Sequence, residues 1–295
     1  MNKVLIKNQK SFQPKRLVFI ILYLINEYIA SKKIKQFPQL GVFAFDQSTL
    51  MININGRLSD ESLKLIMNYL SRKKNKFSNN ILIDIGANIG NHSIYFSQYF
   101  KKIYAYEPNP ATFQLLSFNS KFVCKKNNIF PNMIGLSDKK NLLNFEINNS
   151  NLGASKIIKS KSKSKRPVIS IKVDKLDNVF TDIDKVAVIK IDVEGHELEA
   201  LKGAEKIIKK NKPYIIFEQH SEEIKNGSSE TIEFLKSFGY KFAKSEKNLY
   251  FGQSFFKKIF SSILRLFIGH RLMLIETDYF ETKFYETILA IPNDK

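Results

Sequence analysis

The 295-residue sequence contains one cysteine, Cys124, which excludes an intramolecular disulfide and any cysteine-based zinc cluster. Such sparing use fits a reducing compartment. Cys124 lies between apolar residues and a lysine pair and reads as a packing residue rather than a nucleophile. Arginine is scarce among the 47 basic residues. Sequence-specific reading of nucleic acid is therefore disfavoured, because the arginine fork is the usual reader of base edges. The sequence also lacks an apolar run of the roughly 20 residues that a membrane span needs. "LVFIILYLI" (17–25) follows Lys15 and Arg16 but stops at Asn26-Glu27 with no small-x-small cleavage site behind it. A helix over 17–29, buried or lying at an interface, is expected, in a cytoplasmic protein.

Positive charge is abundant. A formal net charge of +19 points to an anionic partner such as nucleic acid, acidic lipid or acidic glycan. Joint enrichment in Lys, Asn and Ile under AT-rich codon usage produces the same balance without a partner. Charged residues make up 25% and apolar ones 43%, as in folded chains. The length accommodates one large core with a smaller appended piece. The division expected is a basic helical lead with a small β/α extension over 1–78, and one larger domain over 79–295. Within the lead, 43–55 reads as short alternating strands turned at Asn55-Gly56. A helix capped by Ser59 or Asp60 then runs to about Tyr69, and 71–80 is a polar linker.

Beyond residue 80, strand and helix signals alternate. "ILIDI" (81–85), "KIYAYEP" (102–108), "VAVIKID" (186–192) and "YIIFEQ" (214–219) read as strands, and 129–147 as a less regular strand region. Helical spacing marks 91–100, 111–121, the stretch from Leu198 to Ile208, and 230–238. Buried strands alternating with amphipathic helices predict parallel βαβ units in a layered α/β domain. The basic run 155–167 reads as a solvated loop.

The first glycine turn narrows the ligand. In open α/β sheets, ligands lie beyond the carboxyl ends of the strands. "ILIDIGANIG" (81–90) has the right context, but a dinucleotide loop needs G-x-G-x-x-G, with its middle glycine against the pyrophosphate. Asn88 occupies that place, which argues against NAD and FAD. Glu107, at the end of the next strand, is placed to accept hydrogen bonds from both ribose hydroxyls and would repel a 2′-phosphate. A loop unsuited to pyrophosphate together with a ribose-binding carboxylate best matches S-adenosylmethionine, with Asp84 receiving the methionine ammonium directly or through water. The plainer alternatives are that Asp84 caps the turn and Glu107 is a surface charge.

"ILIDIGANIGNHSIYFS", "YAYEPNP", "GLSD" and "VIKIDVEGHELEALKGA" together resemble the FkbM family of S-adenosylmethionine-dependent methyltransferases. The resemblance covers 43–238 and continues weakly to the terminal "ETILAIP". It implies a Rossmann-like class I methyltransferase: a mostly parallel, seven-stranded sheet with helices on both faces and a last antiparallel strand at 287–291. It implies methylation of a hydroxyl on a sugar or polyketide-like product. It also implies cofactor contacts at Asp84, Gly86, Ala87, Asn88, Gly90 and Glu107, with Ser137 and Asp138 near the adenine.

Methyl transfer to a sugar hydroxyl requires in-line placement and removal of a weakly acidic proton. Asp192, Glu194 and His196 follow the strand "VAVIKI" at the mouth of the crevice, and strand alternation puts Lys190, Asp192 and Glu194 on one side. Glu194 and His196 also suit the start of the next helix. Glu218 and His220 end a neighbouring strand and flank the same crevice, as a base or as ligands to a divalent ion. The spacing shows no compact ligand triplet, so no metal is assigned. His92 reads as structural or cofactor-side, and His270 as exposed. No D/N-P-P-Y/F turn for a planar amine is present, and Cys124 is on the wrong strand for a cytosine-directed nucleophile. O-methylation is what remains.

"SFFKKIFSSILRLFIGHR" (254–271), within an expected insertion at 244–278, alternates apolar pairs with cationic positions at helical spacing. Residues 255–268 suit an anionic membrane surface or, equally, a core or subunit contact. The membrane reading makes the protein peripheral at the inner face, acting on a saccharide or lipid-linked glycan. Two other functions compete: an RNA- or anionic-polymer-binding protein with a relic cofactor fold, and an NAD-linked sugar dehydrogenase.

Overall fold

Five consecutive buried residues, Ile81–Ile85, form β1 in the interior of the larger sheet. A computed structural model describes residues 14–72, 77–160, 164–181, 185–247 and 272–293. Three helices precede β1: α1 (Pro14–Lys33), α2 (Gln47–Asn55) and α3 (Asp60–Arg72). Then come α4 (Asn91–Phe96), β2 (Lys102–Tyr106), α5 (Pro110–Phe122), β3 (Ile129–Asn132), β4 (Gly135–Leu136), β5 (Asn141–Glu146), β6 (Lys156–Ile158) and β7 (Val168–Asp174). The remainder is α6 (Leu176–Val179), β8 (Val186–Ile191), α7 (Glu197–Lys202), α8 (Glu205–Asn211), β9 (Tyr214–Gln219), α9 (Glu230–Ser237), β10 (Tyr240–Lys247), β11 (Leu272–Glu276) and β12 (Tyr285–Pro292).

The larger sheet has eight strands in the order β11-β10-β12-β9-β8-β1-β2-β3. From β9 to β3 all neighbours are parallel, whereas β12 is antiparallel to both β9 and β10, and β11 to β10. The chain winds one way from β1 to β3 and the other way from β8 to β9. The β1/β8 boundary is thus a topological switch point, where a crevice opens beyond the strand ends. Alternation along β1 sends Ile81, Ile83 and Ile85 to a core shared with Leu201, Ile208 and Leu235, and Leu82 to one shared with Leu63, Ile66, Phe96 and Leu116. Helices therefore cover both faces.

Several expectations need correction. The sheet has eight strands rather than seven, with its β9-to-β3 part parallel and its other edge antiparallel, because β11, inside the expected insertion 244–278, pairs with β10 as an edge strand. The amphipathic stretch 254–271, with His270, lies outside the described residues. Residues 43–55 are not alternating strands. Asp46 accepts hydrogen bonds from the N–H groups of Ser48 and Thr49, and Gly56 closes the other end in a left-handed conformation, so 47–55 is the helix α2. The basic run at 155–167 begins as β6, which joins a second, four-stranded sheet in the order β4-β7-β5-β6. The helix expected from Leu198 to Ile208 is divided at Gly203, where a Cβ would lie 2.1 Å from the Ser137 carbonyl oxygen. α4 ends at Phe96 rather than Phe100. α1 forms as expected but is not buried: Ile21, Leu22, Leu24, Ile25 and Tyr28 are all exposed. Among the described residues no helix is long and apolar enough to cross a membrane.

Candidate active site

The close approach of β1 and β8 builds the floor of the cleft. Gly86 has φ 73°, and a Cβ there would lie 1.8 Å from the carbonyl oxygen of Asp192. Any side chain would push the two strand ends apart. Asn88, at φ 50°, also takes the left-handed conformation that asparagine tolerates. Its backbone N–H donates to Glu107 Oε2 at 2.9 Å, and that of Asn109 donates to Oε1 at 2.9 Å. Burial raises the pKa of Glu107, while these two donors and Lys190 oppose the shift. Its carboxylate is thus fixed at the tip of β2, lining the cleft together with Gly86, Asn88 and Leu136. Ala87 and Gly90 shape the same loop: the Ala87 N–H donates to Tyr106 O, and the Gly90 N–H donates to Ala87 O.

Asp84 is placed differently from expectation. It is fully buried, accepts a 2.6 Å hydrogen bond from Ser93 Oγ and lies 3.3 Å from Lys190 Nζ. It does not line the cleft. Register explains the pairing, since Asp84 and Lys190 are direct partners on parallel β1 and β8. Lys190 Nζ also reaches Asp192 Oδ2 at 3.2 Å and donates to the carbonyl of Gly86 at 3.3 Å. Burial opposes its charge, but Asp192 and Asp84 outweigh burial and hold the ammonium above its ordinary range. Asp192 is the carboxylate of this group that faces the cleft, with about a third of its side chain (35%) exposed. His92 is partly exposed and lines the cleft beside the loop with its Nε2 shielded, and desolvation and Lys190 push it down to about 4 and keep it neutral.

At one end of the cleft, Glu194, Glu218 and His220 converge. His220 Nε2 lies 3.5 Å from Glu194 Oε2 and 3.4 Å from Glu218 Oε1. Burial and the neighbouring carboxylates push both glutamates up to about 7, and Glu218 lifts His220 to about 9. Glu194 reaches this group because the chain takes φ 55° there and φ 93° at Gly195. Glu197 anchors that turn, its buried Oε1 accepting from the N–H groups of Val193 and Gly195. Sequence reasoning missed Glu197, which looks like an ordinary helix-start acid. Among the described residues, Glu194, Glu218 and His220 form one group whose three potential ligand atoms all lie within 4.8 Å of one another. The absence of a compact triplet in the sequence is thereby corrected: the fold assembles one from the loop after β8 and the end of β9.

His196 is separate from that group. Its Nε2 lies 3.0 Å from Ser137 Oγ and its Nδ1 3.6 Å from Glu199, and burial pushes its pKa down. Ser137 is buried and donates to Asp138 at 3.2 Å. The expected catalytic histidine and the expected adenine-side pair are therefore neighbours, and of the three only His196 lines the cleft.

A roof also escaped the sequence reading. Asp46 Oδ2 accepts from the N–H of Leu152, Ser48 Oγ donates to Asn151, and the Gln47 N–H donates to Ser150 O. These contacts join the start of α2 to residues 150–152, and Ser48, Asn151 and Gly153 line the cleft. The partners are about a hundred residues apart in the chain, and no local pattern signals them.

The family model described as the methyltransferase FkbM domain matches residues 84–242, more than half of the chain. The hexuronic acid methyltransferase AglP of Haloferax volcanii is 36% identical over 123 residues, which is 42% of this chain and 49% of that protein. The chain thus spans about half the length of this curated relative. Among solved structures, methyltransferase FkbM from Methylobacillus flagellatus KT aligns with 18% identity and a TM-score of 0.38, over 65% of this chain and 48% of that one. Magnesium protoporphyrin IX methyltransferase (ChlM) from Synechocystis PCC 6803, solved with bound SAM, aligns with 11% identity and a TM-score of 0.41, over 92% and 96% respectively.

Proposed function

The chain belongs to the FkbM methyltransferase family, and from that premise we propose that it transfers a methyl group from S-adenosylmethionine to a hydroxyl of a free or lipid-linked saccharide. The observation that carries this reading is Glu107, pinned by two backbone N–H groups at the tip of β2 and opening onto the same cleft as Asp192 and Glu218. The residues present suit the cofactor. Glu107 keeps lone pairs for two ribose hydroxyls, Leu136 and His196 line the adenine side, and the side chain of Asn88 occupies the place a pyrophosphate would need. Asp84 acts from behind: together with Lys190 it fixes the Gly86 carbonyl and Asp192 rather than meeting the ammonium itself.

When bound, S-adenosylmethionine supplies a methyl on a sulfonium whose leaving group needs no acid. The protein's own task is to hold the acceptor oxygen in line and take its proton. Asp192 is the acceptor of that proton, at the cleft-facing end of the Lys190 network. Glu194, Glu218 and His220 surround the acceptor oxygen. An acidic saccharide is favoured by the name of the relative AglP, a hexuronic acid methyltransferase, and by the net charge of +19.

The test is transfer of labelled methyl to glycan and lipid extracts of the source organism. Asp192→Asn is expected to lower transfer at least about a hundredfold with cofactor affinity nearly intact. Turnover retained in that variant refutes the assignment of Asp192. A label stable to mild alkali is an ether on a hydroxyl; an alkali-labile label is an ester and moves the acceptor to a sugar carboxylate. Absence of any acceptor, with RNA binding that falls steeply with salt, favours instead a relic fold.

A further inference from the structure

We propose that Glu194, Glu218 and His220 form a binding site for a divalent cation of the first transition row, at the acceptor end of the cleft. Only the cation's role rests on the methyltransferase reading; its binding does not. The ligand set is two carboxylates and one imidazole, which suits Mn²⁺, Fe²⁺, Co²⁺ or Zn²⁺.

The spacing carries the argument. His220 Nε2 stands 3.4 Å from Glu218 Oε1 and 3.5 Å from Glu194 Oε2. A direct N–H···O bond would be about 2.7–3.2 Å, so both separations are long for hydrogen bonds. They match instead the edge of a tetrahedron whose metal–ligand bonds are about 2.1 Å, which is about 3.4 Å. Glu218 Oε1 and His220 Nε2 are moreover both shielded from solvent, facing each other at a separation and angle that form no hydrogen bond. Buried polar atoms left in this state are costly unless something else satisfies them.

Charge points the same way. Three carboxylates, Asp192, Glu194 and Glu218, line this part of the cleft, and the ammonium of Lys190 is already engaged by Asp84 and Asp192. Three protein ligands leave coordination positions open toward the cleft, as catalytic rather than structural sites do. A cation there draws in an acceptor oxygen and acidifies its proton, which makes a carboxylate such as Asp192 a sufficient base. The left-handed turn at Glu194 and Gly195, braced by Glu197, is what brings the third ligand into place.

The full-length protein, stripped with a chelator and desalted, would be titrated with Mn²⁺ by electron paramagnetic resonance and with Zn²⁺ by calorimetry. One site per chain is expected for at least one of the two ions, weakened at least about tenfold in Glu218→Gln and in His220→Ala. Glu222→Gln, an exposed carboxylate nearby, should leave it unchanged. Circular dichroism melts establish that the variants are folded. No site for either ion, or a site indifferent to both substitutions in folded protein, overturns the proposal. S-adenosylhomocysteine affinity on the same samples separates the two claims. Cofactor binding without a cation site overturns this inference alone, and a cation site without cofactor binding upholds it while sinking the methyl donor.

Discussion

At the residue scale, the side chains in and behind the cleft are organised by the demands of burial. Lys190 is held between Asp84 and Asp192 because a lone charge at that depth would be untenable, and register on adjacent parallel strands supplies its partner. His92 solves the same problem by staying neutral, with its pKa lowered from 6.5 to about 4. The unfolded chain takes up this proton near its ordinary value while the folded chain refuses it. The stability that His92 contributes is therefore present above pH 6.5 and lost as pH falls toward about 4. Between about pH 7.5 and about pH 5 the loss is about 2 kcal/mol. Urea unfolding at the two values should show a pH dependence smaller by that amount in His92→Gln. An unchanged dependence would mean that the imidazole is solvated in the native state. Asp192, Glu218 and His220 were legible in the sequence because each ends a buried strand. The junction of Glu194 with them was not, since it depends on two consecutive left-handed residues.

At the scale of elements, the two ends of α2 matter more than its middle. Its apolar residues alternate well enough to suggest strands, yet Leu50, Met51 and Ile54 are exposed and only Thr49 and Ile52 are buried. The cap decides: Asp46 serves Ser48 and Thr49 with one oxygen and Leu152 with the other. Asp46→Ala is expected to cost about 1–2 kcal/mol and to increase proteolysis between residues 148 and 155. A variant of unchanged stability and protease resistance would show that the roof is held elsewhere. The strands β1, β2, β8 and β9 were readable because each is a short apolar run bounded by turn residues. The second sheet was only partly readable: β4 and β5 fall within the strand region expected at 129–147, but β6 and β7 mix polar with half-buried positions, and Leu142 on β5 is largely exposed.

For the whole molecule, the order of strands places the tips of β1, β2 and β8 around one crevice, and the family match spans all three. The Gly86–Gly90 loop, Glu107 and Asp192 are thus brought to one cleft by topology rather than by proximity in the chain. The edge strand β11 and the exposed helix α1 add to this frame without altering the crevice. The central claim is that the crevice holds adenosine by Glu107, and calorimetry with S-adenosylhomocysteine tests it most directly. The account predicts one molecule bound per chain, with affinity at least about tenfold weaker in folded Glu107→Ala, the loss expected for a hydrogen-bonded charged group. Wild-type protein that does not bind, or binding indifferent to that substitution, would contradict it.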